Sequence, residues 1–215
     1  MNTKKLLILG AGGHGKVAAE TAEAMEVWDR ICFLDDRYPE LKNNLHWPVI
    51  GKLESIREHI HQFNEVFVAI GQNDIRLKWL RKCKEVGYKV ANLIHPSAIV
   101  SPYADLEDGI IIVANAVVQT NAKLGEGVII NTSAHVGHDC RLGRGVHIAS
   151  GAKLAGGVQV GDCSWIGIGA TVIQNIVIGN RVTVGAGAVI IRDIPDDYTV
   201  VGVPGKRILS SKESE

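Results

Sequence analysis

The sequence predicts an α/β amino-terminal domain followed by a parallel β-helix, and three observations carry that prediction. A six-residue apolar period runs without a slip from Ala98 to Ile190. Ahead of it, short aliphatic runs alternate with segments of helical spacing. The chain of 215 residues is rich in glycine (24) and poor in aromatics (5%), which requires an aliphatic core and many tight turns.

The amino-terminal elements come first. Leu6 to Leu9 reads as a buried strand, followed by Gly10-Ala11-Gly12-Gly13-His14-Gly15 and a helical pattern from Lys16 to about Glu26. Ile31 to Leu34 is a second strand ending in Asp35 and Asp36, and Val66 to Ile70 a third ending in Gly71. Asp74 to Val86 again has helical spacing. Strands alternating with helices imply a small parallel sheet, the size of half a Rossmann fold.

A G-x-G-x-x-G loop between strand and helix, with an acid about 20 residues on, is the dinucleotide fingerprint. Backbone N–H groups at the helix amino terminus would cradle a phosphate, and Asp35 or Asp36 would take ribose or base donors. NAD needs a second mononucleotide half, whereas here the hexapeptide register begins by Ala98. A nucleotide or nucleotide-sugar therefore fits better, the plain alternative being a structural strand-to-helix turn. His14 either touches phosphate or sugar or caps the helix, and Asp35 is either a ligand contact or a helix N-cap.

Every sixth residue from Ala98 to Ala188 is small or aliphatic at all sixteen positions, and every sixth from Val100 to Ile190 is Val, Leu or Ile. Two apolar residues separated by one, then a polar or glycine-rich return, describe a short strand and a corner, and hexapeptide periods are a signature of β-helices. Gly125, Gly137, Gly143, Gly161, Gly167, Gly179 and Gly185 each follow the large aliphatic, where the chain must turn. The repeat by itself fits a spacer or scaffold as well as an enzyme.

Lys plus Arg and Asp plus Glu both number 23, which excludes nucleic-acid binding through a general positive field. No apolar run near the start is long enough for a membrane span or signal core, so the cytoplasm is the expected location. Cys32, Cys83, Cys140 and Cys163 form no C-x-x-C pair, and are read as reduced thiols without a zinc site or disulfide framework.

Seven segments together carry a family resemblance: Gly12 to Gly15, Phe33 to Asp36, Ala69 to Gly71, Asn92 to His95, Ile130 to Ser133, His138 to Cys140 and Val201 to Arg207. With them the chain resembles the bacterial nucleotide-sugar acetyltransferases of the left-handed β-helix (hexapeptide) superfamily. The likeness is greatest to those that N-acetylate UDP-4-amino-4,6-dideoxy sugars in bacillosamine biosynthesis, with perosamine N-acetyltransferases and sialic acid O-acetyltransferases as relatives. The resemblance implies a half-Rossmann-like nucleotide-sugar domain over 1–92, a left-handed parallel β-helix over 93–193, and a tail over 194–215 contacting coenzyme A. It also implies three hexapeptides per coil, acetyl-CoA as co-substrate with no metal, and a homotrimer with active sites between subunits.

Residue by residue, the resemblance makes His138 the general base, Asp139 the acid that raises its basicity, and Asn131 an orienting group. In the bacillosamine branch Glu is frequent where Asp139 stands, and the shorter Asp implies a less direct contact with the imidazole. Gly156 would offer its N–H to the thioester carbonyl, with His147 near the acyl group. Trp165, Ile168, Ala186, Pro204 and Lys206 would follow the coenzyme A arm, and Gly12, Gly13, His14, Asp35, Asp36 and Gly71 would hold the nucleotide-sugar. Gly156 lies eighteen residues after His138, one coil above, and its missing side chain would leave room there for a substrate. Trp165 follows inward Ser164 and is expected to face solvent, as an interface or ligand wall. Cys140 points inward beside Leu142, as a small hydrophobe and not a nucleophile.

Overall fold

The computed structural model describes residues 4–63 and 65–208, and the chain divides after Pro96 into two compact units. In the first, β1 (Lys5–Leu9), β2 (Arg30–Leu34), β4 (Trp47–Gly51), β5 (Glu65–Val68) and β6 (Lys89–Val90) are parallel, in the order β4-β2-β1-β5-β6. A two-residue strand, β3 (Asn43–Asn44), adds to the β4 edge in the antiparallel sense. Helices α1 (Gly13–Ala24) and α2 (Asn73–Val86) complete the unit with a 3-10 helix over Leu53–His59.

The central strands bury both faces, so they read as continuous apolar runs and not as alternation. Leu7, Leu9, Cys32, Leu34, Val66 and Val68 join Leu53, Ile56, Leu80 and Tyr88 in one cluster. Their neighbours Leu6, Ile8, Phe33 and Phe67 are equally buried on the alternate positions. Helix α1 starts at Gly13, three residues before the helical spacing shows, because glycines carry no periodic signal. Helix α2 ends at Gly87 with φ 102°, where the Tyr88 N–H returns to the Cys83 carbonyl in a Schellman turn. Strands β3 and β4 escape sequence reading because β3 has only two residues and Pro48 stands within β4.

The second unit is a three-sided left-handed β-helix of two-residue strands. Its first face stacks Ile111–Ile112, Ile129–Ile130, His147–Ile148, Trp165–Ile166, Thr183–Val184 and Thr199–Val201. The second stacks Ile99–Val100 through His135–Val136 to Val189–Ile190, and the third Asp105–Leu106 through Arg141–Leu142 to Val177–Ile178. Register advances eighteen residues per coil, as in Val118 to Val136 to Leu154. The inward aliphatic rows are buried over most of their length, and Lys206–Ile208 closes antiparallel on Thr199–Val201.

The turning positions differ from those the glycines suggest. Left-handed φ recurs every six residues at 109, 115, 121 and onward to 187, two residues beyond the glycine row. Glycines such as Gly137 are required for a different reason: a Cβ there would sit 2.7 Å from the Ala155 carbonyl carbon of the next coil.

Candidate functional site

On the β-helix, His138 and Asp139 form the edge between the second and third faces, following His135–Val136 and preceding Arg141–Leu142. Asp139 takes φ 60°, a region Asp tolerates better than most residues, and this turn folds its carboxylate back toward its neighbour. Its Oδ2 lies 2.6 Å from His138 Nδ1, and its Oδ1 accepts from Asn121 Nδ2 at 2.6 Å. The contact is therefore direct, contrary to what the shorter side chain suggests, because the backbone supplies the missing reach. The hydrogen bonds from His138 and then Asn121 hold the Asp139 carboxyl below its ordinary range. Nδ1 is thereby assigned the proton and Nε2 keeps the lone pair, the tautomer a general base needs.

The His138 ring lies across Gly156, where a Cβ would fall 2.4 Å from Nε2. The missing side chain admits the imidazole itself, which corrects the expectation that it leaves room for a substrate. Along the edge between the third and first faces, the N–H groups of Arg144, Asp162 and Asn180 donate at 2.8 Å to Asp162, Asn180 and Asp196 carboxylate or amide oxygens one coil above. At the corresponding place on the His138 edge, the Gly156 N–H has no acceptor among the described residues. It is, among the described residues, an unused donor one coil from the His138 ring.

Asn131 and His147 stand elsewhere. Asn131 Nδ2 is 3.5 Å from His147 Nε2, and the buried His147 ring packs 4.0 Å from that of Trp165, itself 37% exposed. These residues, with Ile168 and Ala186, lie on the first face or its edge with the second. In a three-sided prism that face is opposite the His138 edge. One chain therefore does not bring the two halves of the expected catalytic set together. Ile168 and Ala186 are exposed, as are Pro204 and Lys206 beyond the last coil. Cys140 is buried and donates to the Ala155 carbonyl at 3.2 Å, and burial pushes its thiol pKa up, away from nucleophilic use.

On the α/β unit, Gly10 has φ 98°, and Gly15 touches the Gly10 carbonyl so closely that a Cβ would lie 2.2 Å from it. Gly12 and Gly13 are exposed with open space where a Cβ would be. Helix α1 has no side-chain cap among the described residues and no acid in its first turn, so nothing there offsets its positive dipole end. Gly71 is partly exposed after β5, and its carbonyl accepts from the buried Arg76 at 3.0 Å. His14 is inside the helix and does not cap it. Its Nε2 is buried without a hydrogen-bond partner among the described residues, and burial, then the Arg76 charge, lowers its pKa to about 4.

The two acids are already employed. Asp36 Oδ1 accepts the Leu53 N–H at 3.2 Å. Asp35, 8% exposed, accepts from the Ala11 N–H at 2.7 Å and from the N–H, Nε and Nη2 of Arg37 at 3.1, 2.8 and 3.1 Å. Four donors fill the roughly four lone-pair sites of a carboxylate. Burial alone would raise its pKa, but the Arg37 and Ala11 hydrogen bonds outweigh that and lower it. Asp35 thus fixes the glycine loop. Arg37, Asn44, Asn121 and Gln119, which accepts the His138 N–H at 3.0 Å, are contributors that sequence reading missed.

No group of three or more His, Cys, Asp or Glu able to hold a metal occurs among the described residues, and no described helix is long and apolar enough to cross a membrane.

A prism of hexapeptide coils carrying a His–Asp pair against a free N–H, joined to a glycine-loop α/β domain, defines an acyltransferase class. Residues 5–83 match the PglD N-terminal domain, and 121–156 and 157–192 match the bacterial transferase hexapeptide (six repeats). The acetyltransferase domain of PglB from Neisseria gonorrhoeae, solved with acetyl coenzyme A, is 45% identical over 96% of this chain and 100% of that one, with a TM-score of 0.92. PerB from Caulobacter crescentus, solved with CoA and GDP-perosamine, is 38% identical over 95% of this chain and 97% of that one, with a TM-score of 0.91. A UDP-N-acetylbacillosamine N-acetyltransferase of Bacillus subtilis is 37% identical over 113 residues, so the match spans about half of each, 52%. The chain belongs to the hexapeptide acetyltransferases that carry a PglD-type amino-terminal domain.

Proposed function

We propose that this chain transfers the acetyl group of acetyl-CoA to the C4 amine of a UDP-linked 4-amino-4,6-dideoxy sugar in the cytoplasm, as a homotrimer with active sites between subunits. The observation that carries the reading is the 2.6 Å His138–Asp139 pair with the imidazole laid across Gly156. Nε2 accepts a proton from the amine as its nitrogen forms the bond to the thioester carbonyl carbon. The carbon–sulfur bond breaks, the proton passes from Nε2 to the departing sulfur, and the Gly156 N–H donates to the carbonyl oxygen as charge develops there. A thioester is already activated, so this base and donor suffice.

The placement of the two half-sites supports a site shared between copies, and the trimer is the family's way of building one. Since Asn131, His147 and Trp165 lie opposite the His138 edge, a rotationally repeated contact that seats this edge on the first face of a neighbour completes each site. His147, Trp165, Ile168 and Ala186 would then line the coenzyme A arm, with Pro204 and Lys206 at its far end. Residues 1–92 hold the nucleotide-sugar through Gly12, Gly13 and the α1 amino terminus, with His14, Asp36 and Gly71 around it. Asp35 serves there by fixing the loop.

The relative named for UDP-N-acetylbacillosamine supports a uridine-linked acceptor. The neighbour solved with GDP-perosamine supports the second reading, a guanosine-linked one. Thiol release from acetyl-CoA decides, with a UDP-4-amino-4,6-dideoxy sugar, GDP-perosamine and free sialic acid offered in parallel and His138→Ala as control. Release with the UDP-sugar alone, abolished in the variant, is the expected result. Release with none of them would overturn the proposal.

A further inference from the structure

The Ala11 peptide in the glycine loop is gripped from both sides. Its N–H donates to Asp35, and its carbonyl accepts from Arg37 Nη2 and Asn44 Nδ2, both at 2.9 Å. With Nε and Nη2 of Arg37 also on Asp35, one edge of the guanidinium is consumed. The two hydrogens of Nη1 have no acceptor among the described residues, and the side chain is 58% exposed. Asp35 offsets the charge, so Arg37 presents a flat face and two in-plane donors and not a bare cation.

Position selects what those donors meet. In a glycine-loop site the helix amino terminus takes the phosphates, and the carboxyl end of the second strand takes the nucleoside. Arg37 stands three residues past β2, on the nucleoside side, and the acid that would otherwise bind there is saturated. We propose that Arg37 reads the nucleobase edge-on, its two in-plane Nη1 donors meeting a base carbonyl. This rests on the nucleotide-sugar reading above and assigns its base specificity to one side chain.

The test is calorimetric titration of the full chain with UDP, GDP, CDP and ADP. The unmodified protein should prefer one of the four. Arg37→Gln should weaken the preferred nucleotide on the order of 10-fold, the loss of a charged hydrogen bond, and bring it level with the others. Arg37→Lys, which keeps the charge and loses the fixed pair of in-plane donors, should also level them. Asn44→Ala loosens the same loop without touching the base, and should weaken all four by one common factor. A common factor in Arg37→Gln, no change there, or an unmodified protein without preference would overturn the assignment to Arg37 alone. Binding of none of the four by the unmodified protein would overturn the nucleotide reading as well.

Discussion

The imidazole of His138 occupies the space that a side chain at Gly156 would fill, with Nε2 2.4 Å from the absent Cβ. The proposed base and oxyanion donor are therefore set by one contact between successive coils. Gly156→Ala should displace the ring by about an ångström and lower kcat on the order of 100-fold. The position has no left-handed φ, so urea denaturation should show the coil intact while thiol release falls.

Asp139→Asn should keep the fold, since Asn also tolerates left-handed φ, but it removes the charge and leaves one accepting oxygen for the two donors His138 Nδ1 and Asn121 Nδ2. We expect kcat to fall on the order of 100-fold with the KM for acetyl-CoA little changed, read from steady-state thiol release. Asn121→Ala removes the second hydrogen bond to the same carboxylate and should have a smaller effect in the same direction.

His14 makes stability depend on pH. Its folded pKa of about 4 lies below the unfolded value of 6.5, so protonation favours the unfolded chain. Stability should rise with pH between about 4 and 6.5 and level off above, by at most roughly 3 kcal/mol from this residue. His14→Gln should flatten that window in urea denaturation from pH 4.5 to 7. The carboxylates lowered by pairing, among them Asp35 and Glu65, add their own rise with pH mainly below about pH 5, so the His14 contribution is read as the difference between His14→Gln and the unmodified protein above that pH.

The β-helix was legible because one local constraint repeats sixteen times, and each repeat tests the last. The His138–Asp139 pair was legible by resemblance, but its support was not. Asn121 lies eighteen residues from Asp139 and Gln119 nineteen from His138, so coil stacking and not chain adjacency joins them. Reading the sequence in columns of eighteen places Asn121 directly beneath Asp139. The α/β unit offers no such key. Asn44 reaches Ala11 across 33 residues from a two-residue strand, and the adjacent acids Asp35 and Asp36 read alike in sequence although one is buried and saturated.

The measurement that tests the central claim most directly is complementation between two inactive variants, His138→Ala and His147→Ala. Each is expected to lose most thiol release alone, with its trimer retained. If the His138 edge of one copy meets the His147 face of the next, unfolding and refolding an equal mixture rebuilds about a quarter of the sites with both residues intact. Activity should return to about that fraction of the unmodified protein. A refolded mixture as inactive as its components, or a His147→Ala protein with full turnover by itself, would contradict a site shared between copies.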